Sequence, residues 1–355
     1  MRVCFFFLLL LTSVASACQV PVFRYALERW PADRYELAVF YSEAVNVEIP
    51  SAANLDVVKI DIAKMDDADR AIYGDVKLND GAALMRLFYP REVGIDEPIW
   101  EAPFTPENLA KVIDSPARKA IRERILAGKS AVWVIVDGDA VLEGKLTAQL
   151  KTISESLEIS DAVIGPGNLD RVASGEVAME DVLRSTIPLK IDFDLMRIQR
   201  DDPAEEVFIR MLFGVSQDAL EQYPDAPLLF PVFGRGRSID GVPAPIASEE
   251  LLRNACDYLC GACSCEVKKE NPGIDLIMNI DWDAFVAGSE VVIEKELPPL
   301  SGAGDLVEPT KIEEEEPPVG PKDPGIMVEA LIMAGSFILV IVFATIAFKG
   351  KFKDK

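Results

Sequence analysis

The sequence predicts a mixed α/β body that is carried out of the cytoplasm and held at a membrane. Strand-like and helix-like segments alternate twice, in similar order, between residues 35 and 265. An apolar leader precedes this body, and a long uncharged run follows it near the C-terminus. These observations divide the chain into a signal peptide (1–17), a first α/β unit (18–128), a second α/β unit (129–296), a tether (297–325), a transmembrane helix (326–348) and a basic cytoplasmic tail (349–355).

The N-terminus has the pattern of a secretory signal peptide. Arg2 precedes an apolar run from Val3 to Leu11, and Ala15-Ser16-Ala17 then forms an A-x-A cleavage signal. Cleavage after Ala17 makes Cys18 the first residue of the mature chain. A cysteine at this place resembles a bacterial lipoprotein box, although Ala15 stands where leucine is usual, so lipidation of Cys18 is one hypothesis. It would leave an even number of cysteines for pairing.

The C-terminal region predicts a single membrane span. Residues 330–348 carry no charge over nineteen positions, and a helix of about 20 residues crosses a hydrocarbon core of about 30 Å. Lysines follow this run at four alternate positions, Lys349, Lys351, Lys353 and Lys355. Positive flanks remain on the cytoplasmic side, so the body is predicted to be extracytoplasmic. The tether is rich in Pro, Gly and acid, and this composition predicts a disordered, extended spacer.

Composition excludes several classes of function. The formal net charge is −23, which disfavours nucleic acid and anionic lipid as partners, because both attract basic surfaces. The chain contains no histidine. Catalysis by Ser-His-Asp or Cys-His groups is therefore excluded, as is any histidine metal site.

The first unit is predicted from strand patterns followed by helix patterns. Strands are expected at 35–41, 55–62, 83–89 and 98–104, and helices around 66–73 and over 105–128. Thr105 is a natural helix cap with Pro106 in the first turn, and Pro116 is expected to divide the long helical stretch in two.

The second unit repeats this order at greater length. Strands are expected at 130–138, 188–198, 227–233, 237–242 and 274–282, and helices at 142–157, 202–214 and 248–260. The first of these helices has a core-facing stripe at helical spacing, formed by Leu142, Leu146, Leu150, Ile153 and Leu157. In the second, Asp202 is expected to cap the helix with Pro203 at its first position.

The order strand, helix, strand, helix, two strands, helix resembles the thioredoxin fold. Pro227 stands where that family keeps a cis-proline before its fourth strand. The first unit resembles a reduced copy in which the loop 42–54 replaces the first helix. The sequence thus predicts two thioredoxin-like units in tandem, while Pro231 within the expected strand opposes this interpretation. The layout also resembles that of secreted, membrane-anchored bacterial proteins, a resemblance that implies no activity.

The redox site of the thioredoxin family is absent from both units. That family places C-x-x-C directly after its first strand, at the start of its first helix. The corresponding positions here are Ser42-Glu43-Ala44 in the first unit and Asp137-Gly138-Asp139 in the second. The resemblance therefore carries over no catalytic residue.

Four cysteines lie instead within CDYLCGACSC, at Cys256, Cys260, Cys263 and Cys265. A redox centre is disfavoured because Cys260 ends a helix, where the dipole opposes a thiolate. A thiolate cage for zinc, Cu(I) or an iron–sulfur cluster remains a hypothesis, but the spacing matches no zinc pattern. We predict structural disulfides, with Cys256 and Cys260 each paired to Cys263 or Cys265, because clustered cysteines outside the cytoplasm usually oxidise.

No other pattern predicts catalysis. Three groups of neighbouring carboxylates are interpreted as solvated faces: Asp61, Asp66 and Asp67; Asp192 and Asp194; Asp281 and Asp283. The segment 234–237 is interpreted as a glycine-bearing hairpin with exposed arginines. The sequence thus predicts an extracytoplasmic scaffold or accessory subunit of an envelope protein complex, without cofactor or catalysis. The alternative is an envelope thiol-disulfide oxidoreductase or a thiol-based metal carrier that uses the cysteine cluster.

Overall fold

A four-stranded mixed sheet is built from the N-terminal half of the chain. The computed structural model describes residues 18–263 and 267–286. The strands are β1 (Tyr35–Tyr41), β2 (Leu55–Asp61), β3 (Leu84–Phe88) and β4 (Trp100–Pro103). Their spatial order is β2-β1-β3-β4, with β1 parallel to β2, and with β3 antiparallel to both β1 and β4. Strand β1 lies in the interior of this sheet, and side chains on both of its faces are buried.

A second sheet repeats this arrangement. Its strands are β5 (Ala131–Val136), β6 (Phe193–Ile198), β7 (Leu228–Phe233), β8 (Arg237–Ser238), β9 (Val242–Pro243) and β10 (Ile274–Asp275). The order is β10-β8-β7-β5-β6, with β9 also paired to β7. Strand β5 is parallel to β6 and antiparallel to β7, and all six of its residues are buried.

Four of the six described helices of eight or more residues begin at a side chain that caps them, and the other two do not. They are α1 (Val22–Arg29), α3 (Pro106–Ile113), α4 (Pro116–Leu126), α5 (Ala140–Glu155), α7 (Glu206–Gly214) and α9 (Glu249–Cys260). Shorter helices are α2 (Asp67–Tyr73), α6 (Leu169–Ala173), α8 (Gln217–Gln222) and α10 (Trp282–Val286). The division at Pro116 is confirmed, with Thr105 and Ser115 capping the two helices. Helix α7 begins four residues later than predicted, and Glu205, just before it, accepts a hydrogen bond from Ala117 N in α4.

One apolar core lies between the two sheets. It combines Leu37 and Val39 of β1 with Val132 and Val134 of β5, and helices α3, α4 and α7 close it. The α/β class predicted from the sequence is therefore confirmed. The two predicted units share this core, and all the described residues fall within one compact unit.

The chain after α9 differs from the single strand predicted over 274–282. Only Ile274–Asp275 forms a strand, and it pairs with β8. Asn279 then forms a bridge with Ala53, next to β2, and Asn54 hydrogen-bonds Leu276 O and Met278 N. The segment thus links both sheets, and a longer strand in either sheet would break that link.

Pro231 is accommodated in β7 by an interruption of the ladder. It lies opposite Trp133 of β5. On the other side of β7, β9 pairs with Leu228 and Leu229, and β8 pairs with Val232 and Phe233. Pro231 falls in the gap between these two pairings, as a residue without a backbone donor requires.

The predicted signal peptide, tether, transmembrane helix and basic tail lie outside the described residues. Within residues 18–263 and 267–286, none of the helices combines the length and apolar character that crossing a membrane requires.

Candidate functional site

The described cysteines of the predicted cluster are buried. Cys256 and Cys260 lie in α9, and Cys263 follows it, with exposed fractions of 0%, 7% and 1%. Cys256 packs against Trp133 and Leu150, whereas Cys260 and Cys263 belong to a different apolar cluster. Cys265 lies outside the described residues. The cluster is thus divided between two parts of the core, and no disulfide joins two of the described cysteines.

Cys18 lies in the same apolar cluster as Cys260 and Cys263, a proximity that the sequence did not predict. Residues 20–22 run antiparallel to residues 261–263, with Cys263 N donating to Val20 O at 3.0 Å and Val22 N to Gly261 O at 3.0 Å. The Cys18 thiol contacts Glu180 O at 3.4 Å, and only 4% of Cys18 is exposed. A diacylglyceryl group on this sulfur would displace that packing, so the burial weighs against lipidation.

Burial also disfavours thiolate formation in α9. Desolvation raises the pKa of Cys256 well above its usual range. Desolvation, followed by the nearby charge of Asp257, raises the pKa of Cys260 to about 12. A nucleophilic or metal-binding cysteine needs the opposite shift, because the thiolate is the reactive form. Within the part of the chain that the structure describes, no three Cys, Asp or Glu side chains are grouped to hold a metal ion.

These pKa shifts predict an alkaline loss of stability in the reduced protein. An unfolded thiol ionises near pH 8.5, whereas burial keeps Cys256 and Cys260 protonated in the folded state. The contribution of these thiols to the free energy of unfolding is therefore fully present below pH 8.5. It is lost as the pH rises further, by up to about 1.4 kcal/mol per pH unit for each thiol. Urea unfolding between pH 7.5 and 9.5 measures this slope.

The double variant Cys256→Ala/Cys260→Ala is the control, and its stability should fall less steeply over the same range because it lacks the two α9 thiols. The unreduced protein should behave like this control if both cysteines are oxidised. Equal slopes in the reduced wild-type protein and the control would contradict the buried α9 thiols.

A groove at the carboxyl ends of β5 and β6 is the main candidate binding site. It encloses about 980 Å³, at the upper end of the range of about 300–1,000 Å³ that is usual for ligand pockets. Its floor is apolar and is formed by Ile99, Ile209, Phe213 and Leu220. One side belongs to the segment 89–99 after β3, and the other to residues 200–220, so the groove needs both halves of the chain.

Arg200 fixes the shape of this groove. It follows β6 and forms an ion pair with Asp137, which follows β5, at 2.7 Å. Its other guanidinium nitrogens donate to Pro224 O at 2.7 Å and Ala226 O at 3.3 Å. Asp137 has a left-handed backbone, with φ of +62°, and accepts a hydrogen bond from Arg200 N at 2.7 Å. Arg200 therefore ties together the ends of β5 and β6 and the segment before β7.

Pro227 lies directly after this anchored segment. The described residues contain no cis peptide bond, so the bond before Pro227 is trans, and the cis-proline predicted there is wrong. The carbonyl contacts of Arg200 hold residues 224–226 in place, and the backbone of Ala244 donates to Pro227 O at 2.8 Å.

A second cavity of about 570 Å³ adjoins the groove and shares Ile95 and Gly214 with it. Arg237 and Lys268 line this cavity, and both are bound to Asp275, which is 3% exposed. Lys268 also contacts Asp33 at 2.7 Å. These cations already have anionic partners, and they join the chain before β1 to the segment after α9.

The other sequence candidates have structural roles. Asp192 binds Lys129 and Lys190 at 2.8 and 2.6 Å, and Asp66 caps α2 in a capping box. The segment 234–237 is a tight turn, but its arginines are buried, contrary to the prediction. Arg235 donates to Leu27 O at 2.9 Å, at the end of α1, and pairs with Asp283 at 2.7 Å.

No protein-family model matches the chain. The search of curated proteins likewise found no significant relative.

Proposed function

We propose that this protein is a membrane-anchored, extracytoplasmic scaffold or accessory subunit that binds a segment of an envelope protein in the groove at the carboxyl ends of β5 and β6. The groove itself carries the proposal. It combines an apolar floor with a charged rim and is walled by residues from both halves of the chain. The leader, tether and uncharged C-terminal run support delivery across a membrane and attachment to it.

We further propose that the two halves are thioredoxin-like units without redox chemistry. The strand order supports this, because in each sheet one strand has a parallel neighbour on one side and an antiparallel neighbour on the other. Asp137 occupies the position at which that family begins its dithiol site, and its carboxylate is bound to Arg200. An ion pair there orders the ends of the strands but offers no nucleophile or electron carrier.

A thiol enzyme or thiol-based metal carrier is the second candidate function. The convergence of Cys18, Cys260 and Cys263 in one cluster favours it. Their burial weighs against it, because a partner's disulfide or an incoming metal ion must reach the sulfur atoms. A binding role in the groove requires no such access.

A photo-crosslinking amino acid at Gln217 tests the binding role in cells. This residue lines the groove and is exposed. We expect ultraviolet light to join the full-length protein to one defined envelope protein, identified by mass spectrometry. The same crosslinker at Glu158, an exposed position far along the chain from the groove, is the control. Equal adducts at both positions, or none at Gln217, would count against the proposal.

A further inference from the structure

The rim of the groove carries carboxylates that lack a cationic partner among the described residues. Glu97 and Asp201 line the first cavity and are exposed, and neither forms an ion pair with another described residue. Both arginines of this cavity are already engaged, Arg200 with Asp137 and Arg210 with Glu206 at 3.3 Å. No lysine lines this cavity. The first cavity therefore presents uncompensated negative charge beside its apolar floor.

The second cavity adds to this rim one carboxylate without a cationic partner in the described part of the chain, and the other charged side chains of its lining are paired. Its cations are paired, since Lys268 and Arg237 bind Asp275, and Lys269 lies 4.0 Å from Glu92. Asp240 lines the same cavity and has no ion pair within the described ranges. Partial burial, and then the nearby charge of Asp218, raises the pKa of Asp240. Such a shift is typical of a carboxylate that lacks a neighbouring cation.

We propose that the two cavities together bind an extended peptide segment of a partner protein in which Lys or Arg residues lie beside apolar side chains. The apolar side chains would pack on Ile209 and Phe213, while the cations would lie against Glu97, Asp201 and Asp240. The two cavities lie side by side, because Ile95 and Gly214 line both of them. This shape suits an extended chain better than one compact ligand. The inference rests on the binding function proposed above and specifies its ligand.

Three fluorescein-labelled peptides test this chemistry. The first is a nonapeptide in which lysines and leucines are separated by glycines. The second replaces its lysines by glutamates, and the third replaces its leucines by glycines. Fluorescence anisotropy with the full-length protein in a neutral detergent measures binding. We expect the first peptide to bind about 10-fold or more tightly than either of the others, because affinity needs both charge complementarity and apolar burial.

Matched variants locate the binding. Glu97→Lys/Asp201→Lys should weaken binding of the first peptide about 10-fold or more, because it reverses the rim charge. The control Glu123→Lys/Glu158→Lys changes the net charge equally at exposed positions outside the groove and should leave the affinity unchanged. Equal loss in both variants would show attraction to net charge alone and would overturn the inference. Equal binding of the first and third peptides would overturn it as well.

The two proposals fail in different ways. A specific crosslinked partner at Gln217, together with no binding of the lysine and leucine peptide, would leave the binding function standing and remove the basic peptide as its ligand. Failure of both experiments would remove both proposals. Partner capture that is lost in Glu97→Lys/Asp201→Lys but retained in the control would support both.

Discussion

Replacement of Glu28 by glutamine is expected to lower the free energy of unfolding by about 3–5 kcal/mol, the usual cost of leaving one partner of a buried ion pair alone. Glu28 binds Arg24 at 2.7 Å, and their side chains are 0% and 1% exposed. Glu28 also accepts hydrogen bonds from Arg184 N at 2.7 Å and Ser185 N at 3.2 Å. Arg24 donates to Ile187 O at 2.7 Å. The substitution keeps the shape of the side chain but leaves the Arg24 charge uncompensated.

Urea unfolding at neutral pH measures this change. The control is Glu155→Gln in the exposed i,i+4 pair of Lys151 and Glu155, which are 3.9 Å apart. It should change stability by less than about 0.5 kcal/mol. The double variant Arg24→Met/Glu28→Leu removes both charges and should be more stable than Glu28→Gln alone. Equal small losses in Glu28→Gln and Glu155→Gln would contradict the buried pair.

Replacement of Gly234 by alanine is expected to cost about 2–5 kcal/mol. Gly234 has φ of +57°, a conformation that costs a residue with a side chain about 1–2 kcal/mol. A Cβ atom at this position would lie 2.6 Å from Ala26 Cβ and 3.2 Å from its carbonyl carbon. Such overpacking adds about 1–3 kcal/mol. Because Ala26 belongs to α1, the substitution pushes this helix away from the turn after β7.

Gly144→Ala is the matched control, because it adds the same methyl group elsewhere. Gly144 lies within α5, and an added Cβ would meet no atom within 4 Å. Alanine has the better helix propensity, so this variant should gain up to about 1 kcal/mol. Thermal unfolding of both variants should therefore show shifts of opposite sign. A neutral Gly234→Ala would mean that α1 does not pack on the turn as described.

Both substitutions disturb the packing of α1, and this helix also packs in the apolar cluster that contains Cys18, Cys260 and Cys263. The helix contacts residues 184–187 through Arg24 and Glu28, and the segment just before it pairs with residues 261–263. Loosening α1 should therefore expose Cys18, Cys260 and Cys263 together. Alkylation of the Glu28→Gln and Gly234→Ala proteins after reduction would report this exposure directly.

Local patterns in the sequence were sufficient for most of the elements. The cap at Thr105, the break at Pro116 and the leucine stripe of α5 each act within a few residues, and the structure confirms them. Helix α1 was missed because its face is not a simple apolar stripe. Arg24 and Glu28 lie in its buried part, and only a partner segment far away in the chain satisfies them.

The candidate site depended much more on tertiary structure. The sequence singled out the cysteine cluster, but it could not show that Cys18 packs against two of its members or that the α9 thiols are sealed from solvent. The groove gave no local signal at all. Its walls lie more than 100 residues apart in the chain, at 89–99 and 200–220, and become neighbours only when the two sheets share a core.

The sequence by itself determined the α/β class, the order and caps of the main elements, the absence of histidine chemistry and the acidic surface. Each of these follows from composition or from contacts between near neighbours. The tertiary structure alone decided which charges are buried and paired, where the cysteines lie and how the groove forms. Those features depend on contacts between distant segments, whose energies come from burial and geometry rather than from local spacing.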